Sequence, residues 1–202
     1  MSTMMSKIDP SLTSEKLRFS VENQYFERKR AQIKDNEIAH QISAFANASG
    51  GVIAVGIEDN GDVTGITEER ENRLRQIPHD FLKTIPEYEI EILTSENGKK
   101  VLLYHISPMP DDVIKGKDGE AYLRVGDNSR KLNTESLLEL EYSKGIRSYE
   151  TQVVDDATLD DLDLGLVQEY CQTLNLNASS PSDILKARGL IKKKDAGWAI
   201  TV

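Results

Sequence analysis

The chain has 202 residues, 38% hydrophobic and 29% charged, a composition typical of globular proteins. It contains no apolar run of the roughly 20 residues that span a bilayer and no signal-peptide core, so the sequence predicts a cytoplasmic protein without a membrane partner. The net charge of −9 requires any nucleic-acid surface to be built from clustered basic residues, and the single Cys171 excludes an internal disulfide and a cysteine-based zinc site.

The first predicted elements lead into a basic run. Residues 1–14 are predicted to be a flexible tail, and residues 17–26 predict a short helix or turn that enters a strand. The basic run that follows consists of Arg28, Lys29 and Arg30, with Lys34 close behind.

A helix is predicted next, over residues 36–48, with Asp35 as its N-cap. Its apolar residues recur at the spacing of one buried helical face; they are Ile38, Ile42, Phe45 and Ala46. Gly50 and Gly51 end the helix, because glycine adopts the left-handed conformation past a helix end at little cost.

Strand and turn patterns dominate the following residues. Val52–Ile57 is apolar on both faces and predicts a central strand. The Asn60-Gly61 pair predicts a hairpin turn with a return strand over residues 63–66. Further strands are predicted over residues 87–93, 100–107 and 120–125, and helices over residues 68–82 and 134–142.

These elements predict an α+β domain over residues 15–150, with a mixed, mostly antiparallel sheet flanked by helices. Residues 151–163 contain five aspartates and predict an acidic linker. Residues 164–202 predict a small, mostly helical segment. Its elements are helices over residues 164–174 and 181–187 and a strand over residues 198–202. Because that strand reaches the last residue, we expect the sequence to be the front part of a longer protein, with this segment starting a truncated further domain.

Three stretches of this first domain together resemble a known family. They are "ENQYFERKR" at residues 22–30, "ISAFANASGGVIAVGIEDNGDVTGI" at residues 42–66 and "AYLRVGDNSRKLN" at residues 121–133. The combination resembles the Schlafen AlbA-like family of DNA-binding-type domains over residues 20–144. The segments "DDATLDDLD" and "LKARGLIKKKDAGWAITV" also resemble the part that follows this domain in longer RecG-like helicases and transcriptional regulators. The resemblance implies a DNA- or RNA-binding module, with ATP bound only by a C-terminal domain that this sequence does not contain.

The resemblance also implies a set of acidic residues. In Schlafen members that cleave RNA, carboxylates at the positions of Glu22, Glu27 and Asp59 are the proposed metal-binding and catalytic groups. Three converging carboxylates can hold Mg²⁺ or Mn²⁺ through oxygen ligands. The alternative is structural: Glu27 pairs with a neighbouring cation and Asp59 caps the turn. Whether the chain is an enzyme therefore stays open, with a metal-dependent endoribonuclease as one candidate.

Basic residues form a second candidate set. It comprises Arg28, Lys29, Arg30, Lys34, Arg124, Arg130 and Lys131. Residues 126–130 are predicted to be a loop whose backbone N–H groups can bind phosphates together with these cations. The alternative is an ordinary solvated surface.

Other motifs predict structure and not chemistry. Ser49, Gly50 and Gly51 follow a helix and precede a strand, whereas a phosphate-binding loop places its glycines before a helix. The three histidines lack the spacing of a metal site, and they are His40, His79 and His105.

Two further alternatives concern association. The first domain is also compatible with a protein-interaction or homo-oligomerisation scaffold without a ligand. In the C-terminal segment, the basic residues 192–194 and the β-prone residues 198–202 predict a winged-helix-like hairpin that contacts nucleic acid.

Overall fold

The chain folds as two units, residues 1–144 and residues 145–202. The computed structural model describes residues 13–148, 152–173, 180–194 and 197–201. Most of the predicted N-terminal tail lies outside these residues, and Ser14 already begins a helix. Across the described parts of the chain, every helix is too short or too polar to cross a membrane.

The first unit is an α+β fold, as predicted. Its helices are α1 (Ser14–Phe19), α2 (Asp35–Asn47), α3 (Glu68–Phe81) and α4 (Thr134–Ser143). Its strands are β1 (Phe26–Lys29), β2 (Gly51–Val55), β3 (Tyr88–Thr94), β4 (Lys100–Ile106), β5 (Tyr122–Val125) and β6 (Asn128–Lys131).

A four-stranded sheet in the order β1-β2-β4-β3 forms the centre of this unit. β1 and β2 are parallel, which requires a crossover, and α2 supplies it. The β2–β4 and β4–β3 pairs are antiparallel. β2 therefore lies inside the sheet, as its two apolar faces predict, and β1 forms one edge.

The core lies where α2 packs on this sheet. Ile38, Ile42, Phe45 and Ala46 are fully or almost fully buried, so the predicted helical face is confirmed. They pack with apolar residues of the sheet and of α3, including Ile77 and the buried Tyr104 ring. Burial raises the pKa of Tyr104, whose hydroxyl donates to the Leu74 carbonyl oxygen at 2.6 Å.

Asp35 differs from its predicted role as an N-cap. Lys34 occupies the cap position, and Asp35 lies inside the first turn of α2. Its two carboxylate oxygens accept from Arg70 at 2.5 Å and from Arg73 at 2.6 Å. Partial burial favours the protonated form, but the two guanidinium groups outweigh it and hold the pKa of Asp35 below its ordinary value. Asp35 thus ties α2 to α3.

Two predicted strand regions also differ. The Asn60-Gly61 turn is present, with the Glu58 N–H donating to the Asp62 carbonyl oxygen at 2.9 Å, but the predicted return strand over residues 63–66 does not form. Residues 63 and 66 make only isolated bridges, to Ile57 and Lys100, because they pair with two different partners. Conversely, part of the predicted loop over residues 126–130 belongs to β6, which pairs with β5 as a hairpin.

The second unit contains a three-stranded sheet in the order β7-β9-β8. Its elements are β7 (Val153–Thr158), a 3-10 turn (Leu159–Asp161), α5 (Leu164–Thr173), α6 (Pro181–Ala187), β8 (Ile191–Lys194) and β9 (Gly197–Thr201). Residues 153–158 thus form a strand within the predicted acidic linker. A small apolar cluster holds the unit together, with Val167 and Cys171 of α5 against Ile184 and Leu185 of α6.

Candidate nucleic-acid interface

A buried ion pair joins β1 and β5, two of the elements that form the candidate site. Glu27 and Arg124 are each 2% exposed, and their side chains form a salt bridge. Arg124 also donates to the Asn23 carbonyl oxygen at 2.8 Å, and its guanidinium lies 4.8 Å from the centre of the Phe45 ring. The other carboxylate oxygen of Glu27 accepts from Lys29 Nζ at 2.7 Å. Arg124 therefore connects β1 to the β5–β6 hairpin from inside, although the sequence predicts it as a phosphate contact.

Glu22 lies beside this pair. Its carboxylate accepts the Arg28 backbone N–H at 3.2 Å. Partial burial raises the pKa of Glu22, and the charge of Glu27 and a hydrogen bond between the two carboxyl groups raise it further. Two of the three carboxylates predicted to bind a metal are therefore neighbours.

Asp59, the third of them, is exposed in the turn after β2. Among the residues that the structure describes, one trio of possible metal ligands has all its ligand atoms within 4.8 Å of one another, and it is His40, Asp118 and Glu120. Glu22, Glu27 and Asp59 do not reach this spacing. The Mg²⁺ or Mn²⁺ site at these three residues stays a prediction.

An open cleft of about 500 Å³ lies beside the buried pair. Its lining combines two cations, two aromatic rings and three carboxylates with smaller polar and apolar groups. The lining residues are Lys29, Arg30, Ile33, Glu37, His40, Gln41, Glu58, Asp59, Tyr122 and Ser129. The cleft thus joins the end of β1, one face of α2, the turn after β2 and the β5–β6 hairpin.

Two side-chain pairs connect α2 to the hairpin in this cleft. The rings of His40 and Tyr122 stack with centroids 4.2 Å apart at an interplanar angle of 19°. The Ser129 hydroxyl donates to Gln41 Oε1 at 2.6 Å. Burial and the hydrogen bond to Glu120 raise the pKa of Tyr122 to about 12, so its hydroxyl remains a donor at neutral pH.

A buried polar network fixes the position of β5 on α2. Asn47 Nδ2 donates to the carbonyl oxygens of Ile114 and Tyr122, each at 2.9 Å. Its Oδ1 accepts the Ile114 backbone N–H at 2.7 Å. Because Asn47 is 3% exposed, losing these bonds would leave buried peptide groups without partners. The stacked rings are therefore carried by a firmly held strand.

The basic residues predicted for the interface occupy several different places. Lys29 and Arg30 line the cleft, and Arg30 is exposed. The Arg28 guanidinium is mostly buried and donates to the Arg18 carbonyl oxygen. Lys34 is 79% exposed but does not line the cleft.

The two cations of β6 point to opposite sides of the hairpin. Arg130 pairs across the ladder with Leu123, whereas Lys131 pairs with Tyr122. Neighbouring residues of a strand face opposite sides, so Arg130 lies on the face away from Ser129. Lys131 forms an ion pair with Glu120. The structure thus brings two of the seven predicted cations into the cleft.

Sequence reasoning missed the uncharged half of the cleft. His40 and Gln41 belong to no motif, Tyr122 is only one residue of the 121–133 stretch, and only the tertiary fold brings α2 and β5 together. The available signal was the alternation of β5 and β6, which places Tyr122 on the same face as Ser129. The Gly126 N–H, predicted as a phosphate donor, donates instead to Gln24 Oε1 at 2.8 Å.

Fifteen chains of solved structures are similar to this one, and they include the following two. One is the DIP2311 protein of Corynebacterium diphtheriae, 22% identical with a TM-score of 0.47 over 88% of this chain. The match covers 34% of that protein, so this chain spans about a third of its length. The other is the N-terminal domain of a RecG-related protein of Nitrosomonas europaea, 22% identical with a TM-score of 0.42, covering 59% of this chain and 92% of that one.

No curated protein matches the chain. The model of the Schlafen AlbA_2 family, in contrast, matches residues 22–133. This range is more than half of the chain, and it contains β1 to β6, the Glu27–Arg124 pair and every residue that lines the cleft. The chain belongs to the Schlafen AlbA_2 family.

Proposed function

We propose that the chain is a nucleic-acid-binding module that takes DNA or RNA into the cleft between β1, α2 and the β5–β6 hairpin. The observation that supports this proposal is the lining of one cleft by Lys29, Arg30 and the stacked His40–Tyr122 pair. Lysine and arginine neutralise phosphates, aromatic rings stack on bases, and the Gln41 amide offers hydrogen bonds to base edges.

The charges of the same cleft limit the affinity we expect. Glu37, Glu58 and Asp59 line it, and Lys29 is already paired with Glu27. With a net charge of −9 on the chain, the long-range interaction with a polyanion is repulsive, so only the local cations of the cleft attract it. We therefore expect weak binding that is largely independent of sequence, measurable at low salt and lost near physiological salt.

Fluorescence anisotropy with labelled single-stranded DNA, single-stranded RNA and duplex DNA tests the proposal. At about 50 mM salt, Arg30→Glu should weaken binding at least about tenfold, because it replaces a phosphate-binding cation by a charge that repels phosphate. Lys99→Glu makes the same charge change at an exposed residue of the β3–β4 turn that does not line the cleft, and it should change the affinity less than about threefold. Absence of binding by the unsubstituted chain, or equal losses in the two variants, would refute the proposal.

The larger protein is a further part of this proposal. The resemblance of residues 155–163 and 185–202 to segments of RecG-like helicases and transcriptional regulators supports a module that guides a larger DNA-processing or regulatory protein to its substrate. ATP would then bind outside this chain.

A metal-dependent endoribonuclease is the second candidate. It is favoured by the closeness of Glu22 and Glu27, whose charge helps to raise the pKa of Glu22, since a divalent cation bound by both carboxylates would relieve this repulsion. Asp59 lines the adjoining cleft. Against it, both oxygens of Glu27 already bind cations, Lys29 and Arg124.

Structured RNA incubated with Mn²⁺ or Mg²⁺ distinguishes this candidate. If the chain is the nuclease, Asp59→Asn should abolish cleavage, because a neutral amide is a poor ligand for a hard cation. Asp62→Asn removes a carboxylate from the same turn, outside the cleft, and should leave the rate unchanged. Cleavage that survives Asp59→Asn would mean that the activity does not come from this site.

A further inference from the structure

A second group of possible metal ligands lies where α2 meets the turn before β5. His40 comes from α2, and Asp118 and Glu120 flank Gly119 in the turn. Each residue offers one ligand atom, and these atoms all lie within 4.8 Å of one another. We propose that His40, Asp118 and Glu120 bind a divalent transition-metal ion of the Zn²⁺ type. This site shares no residue with the predicted Glu22, Glu27 and Asp59 set.

The imidazole and the nearest carboxylate are separated by a gap that fits an ion. His40 Nε2 lies 3.9 Å from Asp118 Oδ2, which is too long for a hydrogen bond. Zinc bonds to nitrogen and oxygen are about 2.0–2.2 Å, so two atoms that share the ion lie at most about 4.2 Å apart. The 3.9 Å His40–Asp118 separation lies below this limit, and all the ligand atoms lie within 4.8 Å of one another. Side-chain rotations that shorten these separations by at most about 1.4 Å bring them to the roughly 3.4 Å of tetrahedral ligands.

Contacts outside the gap hold these ligands in position. The His40 ring is stacked on Tyr122, and Asp118 Oδ1 accepts the Glu120 backbone N–H at 2.9 Å. Glu120 Oε2 accepts the Tyr122 hydroxyl at 2.9 Å. Metal sites in proteins orient their ligands by such outer contacts.

The ligand types select the class of ion. Mg²⁺ and Ca²⁺ prefer oxygen ligands alone, whereas an imidazole nitrogen with two carboxylates suits Zn²⁺ and its transition-metal neighbours. Three protein ligands leave a coordination position for water. One cation already lies at the site, since Lys131 forms an ion pair with Glu120. Lys131 therefore competes with the metal for this carboxylate.

Titration of the chelator-treated, full chain with ZnCl₂, followed by isothermal calorimetry, tests the proposal. We expect one ion per chain. His40→Phe keeps a stackable ring without a ligand nitrogen and should lower the association constant at least about tenfold. Lys131→Gln removes the competing cation and should raise it several-fold.

His79→Phe is the matched control, since His79 is an exposed residue of α3 outside the group, and it should bind Zn²⁺ like the unsubstituted chain. Thermal unfolding of each variant without metal shows whether it is folded. Replacing ZnCl₂ by CoCl₂ adds a second readout: a ligand set without sulfur should give no thiolate charge-transfer band, whereas such a band would place the ion at Cys171. Failure to saturate, a thiolate band, or unchanged affinity in folded His40→Phe would overturn the proposal.

Discussion

Arg124 shows how burial changes the meaning of a charged residue. Its side chain is fully buried and paired with Glu27, so we expect Arg124→Ala to leave the buried Glu27 carboxylate with Lys29 as its remaining charged partner. The unfolding free energy should fall by about 3 kcal/mol, the lower end of the cost of breaking a buried pair. Arg130→Ala, at an exposed position of the same hairpin, should cost less than about 0.5 kcal/mol. Urea unfolding followed by far-UV circular dichroism measures both free energies. Tryptophan fluorescence does not serve this purpose, because the single Trp198 lies in the second unit.

A different result would indicate that Arg124 contacts nucleic acid directly. If Arg124→Ala unfolds at the same urea concentration as Arg130→Ala but no longer binds nucleic acid, the arginine contacts the ligand. From the sequence alone the two roles could not be separated, because Glu27 and Arg124 are distant along the chain and only the β1–β5 contact makes them partners. Lys29 and Arg30 could be predicted, since a compact basic run next to a strand end needs no tertiary information.

The turn from α2 into β2 is the element whose glycines the structure explains best. Gly50 has φ +71° and its N–H donates to the Phe45 carbonyl oxygen at 2.9 Å, which ends the helix as predicted. A Cβ at Gly50 would lie 2.4 Å from the Ile106 carbonyl oxygen and 2.9 Å from Pro108 Cδ. The glycine therefore serves both backbone conformation and close packing against the end of β4.

Substitution by alanine separates these two effects. Gly98, in the β3–β4 turn, has nearly the same φ of +75°, but a Cβ at this position would meet no neighbouring atom within 4 Å. Gly98→Ala should lose only the left-handed penalty of about 1–2 kcal/mol. Gly50→Ala should lose at least about 2 kcal/mol more, because backbone and ring atoms must move. Equal midpoints of urea unfolding for Gly50→Ala and Gly98→Ala would contradict this prediction. They would show that the backbone at Gly50 can move away from the end of β4 without loss of stability.

Elements with strong periodicity could be predicted, and short polar ones could not. α2, α3, β2 and β4 combine length with buried apolar faces, and their predicted bounds differ from the structure by only a residue or two. β6 has four residues that are mostly exposed, so no alternation marks it. β7 contains the pair Asp155-Asp156, which is unfavourable in an isolated strand, and its pairing with β9 overrides this preference.

At the scale of the whole molecule, the second unit is a candidate for an additional contact with nucleic acid. Two helices precede the β8–β9 hairpin, and β7 pairs with β9 on its open edge, an order that resembles a winged-helix unit. Its charges are separated along the chain. Aspartates dominate residues 155–163, whereas Lys186, Arg188 and residues 192–194 are basic. This distribution favours an anion-binding face formed by the end of α6 and the hairpin.

Lys193 tests this face, because it is exposed in β8 and pairs across the ladder with Trp198. We expect Lys193→Glu in the full chain to weaken binding of duplex DNA about three- to tenfold at low salt, since reversing one phosphate-contacting charge reduces affinity for every sequence. Lys99→Glu, with the same charge change in the first unit, is the reference. If anisotropy gives the same affinity for both variants while Arg30→Glu weakens binding, the cleft of the first unit binds nucleic acid without help from the hairpin, and the winged-helix prediction is wrong.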